Sequence, residues 1–338
     1  MQEETKNILD EFGRYRAGTK NNSQNSVRTY MASLRMFFQF IKKHPSQVSL
    51  DDIEDYMIYL KVTRKNSVNT QKAKQVVLRL FYAWYSTKYH TENPTEKLIL
   101  IQEEIKIPIM PTPDEFTRMV NSCDVSTEIG RRDAALICVL ADTGIRLGEC
   151  VALRVGNVEV HENNFILIVP RIKSRRERVV PFGRLIEGDI VAEYFSLFFN
   201  EIRFLKNSSM DDPLFKQIGL FTKDGPLGKA GIAYRIKKYT KAAGVLKKIT
   251  PHSFRHFFGT YSVMKGADPY TLRQLMGHAW LDTTARYVHL SEFYKGTSVE
   301  HRGVAGQQAP ESMRGFAKIT RNALKQALFK QTNDRSMT

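Results

Sequence analysis

The segment from Thr250 to Leu290 constrains the fold more than any other part of the chain, because it contains residues that indicate where its helices begin and end. Thr250 followed by Pro251 predicts an N-cap with proline at the first helical position. Asp268 followed by proline opens a second helix in the same way, and Gly277 has the chemistry of a C-terminal stop. The segment therefore predicts short helices whose ends are fixed by local signals.

The same segment carries four side chains suited to phosphate chemistry. His252 and Arg255 share one face near the positive N-terminal end of the first helix, where oxyanions are favoured. His278 follows the glycine stop, and Tyr287 lies nine residues further on a third short helix. Two cationic or hydrogen-bonding groups, a further donor and a side chain able to form a covalent bond suit attack on a phosphodiester.

Charge identifies the leading class of partner. The 338-residue chain has 51 basic and 35 acidic residues, a formal charge of +16. Such a balance favours nucleic acid, because each neutralised phosphate releases counterions. An anionic membrane is the rival partner, but the longest apolar run, near residues 134–141, is too short to span a bilayer. We therefore expect no membrane association, no signal peptide and a cytoplasmic, nucleoid-associated protein.

Neither a metal nor an organic cofactor is predicted. Three cysteines without paired spacing favour a reducing compartment over disulfides or a zinc ribbon. His252 and His256 have the i, i+4 spacing of zinc ligands, but the glutamate of the metalloprotease motif is missing. The glycine-containing segment 225–231 lacks the lysine and hydroxyl spacing of a nucleotide-binding loop.

Residues 1–105 read as a helical module. Apolar stripes at helical spacing predict three helices, which carry Val27, Met31, Leu34, Phe38 and Ile41, then Ile53, Tyr56, Met57 and Leu60, then Val76, Leu80 and Trp84. Basic residues lie between these aromatic and aliphatic positions and are either a solvated surface or phosphate contacts. Three prolines in residues 108–113 then predict a linker over 106–112, so a second domain is expected from residue 113.

The second domain adds an early arginine and a small sheet. A buried helix over 134–141 leads into Thr143, Gly144, Ile145 and Arg146, with Glu149 one helical turn after the arginine. Runs rich in β-branched residues at 157–160, 165–169 and 178–182 predict a three-stranded antiparallel sheet. The turn before the last strand is crowded with cations. The fold class expected is mainly α with a small antiparallel β-sheet.

These motifs together resemble the tyrosine recombinase, or phage integrase, superfamily, and its Xer-like members in particular. The resemblance rests on a TGIRLGE box, on HSFRH, on LMGH and on a tyrosine nine residues after the last histidine. It implies an N-terminal helical, SAM-like DNA-binding domain over 1–105 and a catalytic domain over 113–300. The catalytic residues it implies are Arg146, Lys173, His252, Arg255, His278 and the nucleophile Tyr287, with Glu149 in support. Lys173 is assigned by aligning the basic turn and the strand after it with the lysine-bearing hairpin of the family. Its neighbours are not the glycines usual in the family.

The resemblance also implies an activity and its partners. We expect a site-specific recombinase that cleaves and rejoins DNA through a 3′-phosphotyrosyl intermediate, in integration and excision, in resolution or in dimer resolution. Expected partners are double-stranded DNA with inverted-repeat core sites, a second protomer on each site, a homotetramer in synapsis and an accessory DNA-bending protein. The tail 301–338 contains an amphipathic helical pattern over 313–330, which docks either on its own domain or on a neighbouring protomer.

Two other functions fit part of the pattern. A type IB topoisomerase would use the same nucleophile and cations at scattered sites, and specificity of cleavage would separate it from a recombinase. A non-catalytic architectural DNA-binding protein would bind its site without a covalent adduct.

Overall fold

The computed structural model describes residues 2–18, 23–102, 107–161, 164–170, 177–183, 189–219, 225–278 and 282–297. The chain divides into two compact units, Met1–Lys106 and Ile107–Thr338. Within the described residues, no helix is both long and apolar enough to cross a membrane. The predicted Lys173 and the predicted helix over 313–330 lie outside the described residues, as does the first position of the expected linker.

The first unit contains four α-helices among the residues that the structure describes. They are α1 (Glu3–Gly18), α2 (Gln24–Ile41), α3 (Leu50–Val62) and α4 (Val68–Tyr89). Serine hydroxyls start three of them, because Ser23, Ser49 and Ser67 each accept a bond from a backbone N–H in the first turn. Ser49 and Asp52 form the reciprocal bonds of a capping box. Polar side chains thus set the helix starts, and the apolar faces set the packing.

An aromatic core holds these helices together. Phe12 of α1 and Phe38 of α2 both meet Phe81 of α4 edge to face, with ring centroids 5.4 and 5.5 Å apart. The stripe predicted on α4 is partly wrong, because Val76 is 38% exposed while Val77, Leu78 and Phe81 are buried. Adjacent apolar residues at 76–78 made the buried face ambiguous from spacing alone.

The second unit contains eight α-helices among its described residues. They are α5 (Pro113–Asn121), α6 (Glu128–Thr143), α7 (Leu147–Ala152), α8 (Ile190–Asn200), α9 (Lys229–Ala242), α10 (Pro251–Met264), α11 (Pro269–Met276) and α12 (Asp282–Thr297). A π-helical turn, Glu201–Leu205, continues α8. Every residue from Arg132 to Thr143 is buried, so α6 is the central helix of this unit. The buried helix predicted over 134–141 is confirmed and is longer than expected.

The sheet has the predicted three strands in the order β1 (Val158–His161), β2 (Asn164–Val169) and β3 (Arg178–Phe182). Both pairings are antiparallel, with Val158 opposite Leu167 and Val169 opposite Arg178. Phe182 and Phe165 turn inward and contact Phe195 of α8, with ring centroids 4.8 Å from it in each case. The register therefore places Arg178 at the start of β3, at the edge nearest α11.

A buried ion cluster ties α6 to α9. Arg132 is 1% exposed and donates from Nε and Nη2 to Oδ1 of Asp133, at 2.9 and 2.6 Å. From α9, Tyr239 donates to Oδ2 of Asp133 at 3.0 Å, and Nε of Arg235 lies 3.2 Å from Oδ1. The desolvation cost of burying the Arg132 charge is offset by its pairing with the Asp133 carboxylate, which also contacts Arg235 and the Tyr239 hydroxyl.

Candidate active site

Helix α10 places Arg255 at the centre of the second unit. Thr250 and Ser253 form a capping box, with Pro251 in the first turn as the sequence predicted. Arg255 is 3% exposed, one turn further along the helix. Burial, then the charge of Arg146, lowers the pKa of Arg255 to about 10, so it stays protonated at neutral pH.

Arg146 is positioned by a helix start that follows a left-handed glycine. Gly144 ends α6 with φ +56°, and a Cβ there would meet the Phe258 ring at 2.5 Å, so glycine is required. The chain then turns into α7, with Arg146 at its N-cap position. Nη1 of Arg146 donates to Oε1 of Glu149 at 3.2 Å, and its backbone N–H donates to Oε2 at 2.7 Å. Both carboxylate oxygens of Glu149 therefore contact Arg146.

Three arginines converge on the C-terminal end of α11. Its last carbonyls would otherwise lack partners, because a helix end leaves C=O groups unpaired. Arg178 Nε donates to Leu275 O at 2.7 Å, Arg255 Nη2 donates to Met276 O at 2.7 Å, and Arg146 Nη2 donates to Gly277 O at 2.9 Å. We call these acceptors the carbonyl triplet. The triplet brings together cations from β3, α10 and the start of α7.

Arg178 is a site residue that sequence reasoning missed. Its Nη1 and Nη2 donate to the two carboxylate oxygens of Glu149 at 3.0 and 2.7 Å, the bidentate geometry of a strong pair. Burial would raise the pKa of Glu149, but the hydrogen bonds and charge of Arg178, and then Arg146, hold it below its ordinary value. In the sequence Arg178 was one cation in a crowded turn, and only the strand register could have separated it from the others.

His278 lies directly after the triplet. Gly277 caps α11 with φ 64°, and the backbone N–H of His278 returns to Arg273 O at 3.1 Å. Its Nδ1 lies 2.9 Å from the hydroxyl of Thr284, which the sequence did not identify. Burial, then Arg255 and the other arginines, lower the pKa of His278 to about 3. The imidazole is therefore neutral at pH 7.

Tyr287 of α12 packs into this cluster. It is 3% exposed, and its ring lies nearly parallel to His278, with centroids 6.1 Å apart and an interplanar angle of 9°. A Cβ on Gly259 would lie 2.7 Å from the Tyr287 ring, so that bare stretch of α10 admits the tyrosine. Burial raises the pKa of Tyr287 above its usual value, whereas Arg255, Arg286 and Arg146 act to lower it.

Two further histidines extend the site along α10. The His256 ring is 5.9 Å from the Tyr287 ring and 4.6 Å from the exposed His252. Burial, then His252, lowers the pKa of His256 to about 4; burial, then Arg255, lowers that of His252. No set of three metal-binding side chains is present among the described residues.

The geometry thus brings together five of the residues predicted from the sequence, with His252 at the exposed end. The joined group is Arg146, Glu149, Arg255, His278 and Tyr287, to which the structure adds Arg178 and His256. The group combines clustered arginines, neutral imidazoles and a buried phenol. Such a set can bind an oxyanion and move a proton near it.

Two family models match most of the chain. The model described as the Phage integrase family matches residues 111–292, and one described as Phage integrase, N-terminal SAM-like domain, matches residues 8–91. Tyrosine recombinase XerC of Anoxybacillus flavithermus is 30% identical over 289 residues, covering 84% of this chain and 93% of the relative. Tyrosine recombinase XerD of Staphylococcus aureus is 28% identical, covering 84% and 94%.

Solved structures share the fold. A lambda integrase tetramer bound to a Holliday junction aligns with a TM-score of 0.64 at 14% identity, covering 83% of this chain and 76% of that one. The XerH site-specific recombinase bound to palindromic difH substrate, in a post-cleavage complex, aligns with a TM-score of 0.61 at 18% identity, covering 85% and 82%. At these identities the likeness is one of architecture.

Proposed function

Because this chain belongs to the phage integrase family and is a tyrosine site-specific recombinase, we propose that Tyr287 is its nucleophile and that the surrounding cluster cleaves DNA. The observation that supports this assignment is the placement of a buried tyrosine against His278 and within the field of Arg255 and Arg146. A free tyrosine is a weak nucleophile at pH 7, so it needs cations and a path for its proton.

Arg146 and Arg255 bind the scissile phosphate in this proposal. Arg255 is fixed by carbonyls on two sides, at Gly144 and Met276, at 2.6 and 2.7 Å. The Arg146 side chain is 41% exposed and can turn toward a ligand. As Tyr287 Oη attacks phosphorus, negative charge builds on the non-bridging oxygens, and two guanidinium groups neutralise it.

Proton movement completes the step. The phenolic proton of Tyr287 passes to a neutral imidazole, for which His278 and His252 are the proposed acceptors, because the bound phosphate anion would offset the arginine charges that, after burial, lower their pKa. The phosphorus–O5′ bond breaks as the tyrosyl–phosphorus bond forms, and Lys173 gives a proton to the departing 5′ oxygen. The products are a 3′-phosphotyrosyl enzyme and a 5′ hydroxyl. Attack by a 5′ hydroxyl reverses the step without a cofactor, since the phosphodiester energy is retained.

Assembly on DNA follows from the same proposal. Relatives of this fold include a lambda integrase dimer bound to a core site and a tetramer bound to a Holliday junction. We propose that this chain likewise binds an inverted-repeat core site as a dimer and forms a tetramer in synapsis, assisted by a DNA-bending protein. Residues 1–105 and 113–300, joined by the linker 106–112, would contact the duplex, and the tail 301–338 would pack on a neighbouring protomer. Action on a mobile element and a nucleoid location belong to the same proposal.

A nicked suicide substrate tests the chemistry. DNA flanking the gene is incubated with wild-type protein or with Tyr287→Phe, and products are separated on a denaturing gel. We expect a covalent band with the wild type alone, with its modified peptide mapped to Tyr287. The phenylalanine variant keeps the ring packing against His278 and Gly259, so its melting temperature serves as the folding control.

Two outcomes would contradict the assignment. An adduct on another residue, or one that persists in Tyr287→Phe, would remove Tyr287 as the nucleophile. Specific binding of the flanking DNA without an adduct would favour an architectural role over cleavage.

A further inference from the structure

The bidentate pair between Arg178 and Glu149 points to a role beyond packing. Resting on the proposed function, we propose that Arg178 is a positioning residue that satisfies Glu149 and so keeps that carboxylate from holding Arg146 away from the scissile phosphate.

The two arginines are held very differently. The Arg178 side chain is 10% exposed and that of Glu149 is 7% exposed, whereas Arg146 is 41% exposed. Arg178 contacts both carboxylate oxygens at 3.0 and 2.7 Å, while the Arg146 side chain makes one longer contact of 3.2 Å. The carboxylate is therefore satisfied mainly by the arginine that faces away from solvent.

Loss of Arg178 would change the partner of a buried charge. An unpaired buried carboxylate is strongly unfavourable, so Glu149 would draw in another cation. Arg146 already donates to it from both the backbone and the side chain. In a chain without Arg178, Arg146 would be held on Glu149 and would have to leave that carboxylate before binding phosphate.

A second contact of Arg178 connects the Arg178–Glu149 pair to the rest of the site. Nε of Arg178 donates to Leu275 O, the first member of the carbonyl triplet. Arg178 also opens β3, opposite Val169 of β2. One side chain thus links the sheet, the Glu149 carboxylate and the turn that carries His278.

Single-turnover cleavage of saturating nicked DNA tests the proposal, because saturation separates the chemical step from binding. We expect Arg178→Gln to slow adduct formation by about 100-fold, the scale of a small misplacement in an active site. Arg178→Lys keeps a cation for Glu149 and should lose less. The Glu149→Gln/Arg178→Gln double variant should be faster than Arg178→Gln alone, since it no longer contains a carboxylate that captures Arg146.

Arg131→Gln is the matched control. Arg131 forms a second bidentate pair, from Nε and Nη2 to Glu201 at 2.6 and 3.1 Å, and also donates to backbone carbonyls. It lies on α6 at the end away from Gly144 and should lose stability without slowing adduct formation. All rates are compared well below the melting temperature of each variant. A double variant no faster than Arg178→Gln, or equal slowing by Arg131→Gln, would overturn the proposal.

A second readout does not depend on cleavage. Phenylglyoxal modifies accessible arginines, and peptide mapping gives the rate at Arg146 in the DNA-free protein. We expect that rate to fall severalfold in Arg178→Gln and to recover in the double variant; an unchanged rate would refute the capture of Arg146. If the wild type formed no Tyr287 adduct, the proposed function would fail, yet this rate would still decide the role of Arg178.

Discussion

At the residue scale, the site depends on glycines as much as on charged groups. Gly144 and Gly277 adopt left-handed conformations at the ends of α6 and α11, and Gly259 clears space for the Tyr287 ring. The carbonyls of Gly144 and Gly277 are also acceptors for Arg255 and Arg146. These glycines therefore shape the chain and hold the arginines at the same positions.

Substitution of Gly144 by alanine should be costly. The residue has φ +56°, and its new Cβ would press on the Phe258 ring at 2.5 Å. Strain and overpacking together should lower the free energy of unfolding by roughly 2–4 kcal/mol. Urea denaturation measures the loss. Gly148→Ala is the control, because its Cβ would meet Lys229 at an ordinary 3.8 Å; an equal loss there would contradict this account.

The partly buried His278 predicts a pH dependence of stability. Its pKa is about 3 in the folded protein, below the ordinary value of 6.5. As pH falls from about 6.5, the unfolded chain gains a proton that the folded site resists, so stability declines toward the folded pKa. His278→Asn should therefore show a shallower fall in melting temperature between about pH 6.5 and 4.

The exposed His90 provides the matched control for that profile. It ends α4 with φ 52°, a conformation that asparagine tolerates. His90→Asn should follow the wild-type curve. Parallel curves for wild type and His278→Asn would show that the imidazole does not resist protonation in the folded state.

At the element scale, the recombinase motifs that could be predicted are those that depend on residues close together in the sequence. Caps and stops at Thr250, Asp268 and Gly277 involve neighbours three or four residues away, and all three occur where the sequence predicts them. Arg178 could not be found this way, since its acceptors at Glu149 and Leu275 lie 29 and 97 residues away. Its role exists only once strand register and helix packing are set.

Helix α1 shows the same limit. It was not among the three helices expected in residues 1–105. Its buried large side chains are Ile8, Leu9 and Phe12, too few for a clear stripe among so many polar neighbours. Phe12 gains its contacts from Phe81 and Trp84, which lie far along the chain. Tertiary packing, rather than local periodicity, accounts for this helix.

The ion cluster between α6 and α9 should be sensitive to one neutral substitution. Asp133→Asn would leave the buried Arg132 and the partly buried Arg235 facing an amide. We expect a loss of roughly 3–5 kcal/mol, as for other broken buried pairs. The urea midpoint measures it. Asp212→Asn breaks a more exposed pair, with Lys216, and should change the midpoint far less; similar shifts would contradict a special role for burial.

At the scale of the whole molecule, each unit has a core of its own. The first is built on residues such as Phe12, Phe38 and Phe81, and the second on residues such as Phe116, Phe195 and Phe254. The chain carries a formal charge of +16, suited to contact with many phosphates. Because each unit has its own core, we expect each unit to fold independently. Because DNA contacts are proposed on both units, we expect both to contribute to the salt dependence of DNA binding.

Fragments test that prediction. Residues 1–106, expressed alone, should give a helical circular dichroism spectrum and a cooperative urea transition, since their core is internal. The fragment 107–338 should bind core-site DNA more weakly than the full chain, with a shallower dependence of log K on log salt, because fewer phosphates are contacted. Equal slopes would show that the first unit contributes no phosphate contacts.

The carbonyl triplet also sets the order in which the site can form during synthesis. Arg146 leaves the ribosome 131 residues before Gly277, whose carbonyl positions it, and Gly144 precedes its partner Arg255 by 111 residues. Until α11 has emerged, the growing polypeptide lacks the carbonyl triplet to which its arginines bind. A nascent or prematurely terminated chain therefore lacks the assembled cluster, which forms only after the last helices have been made.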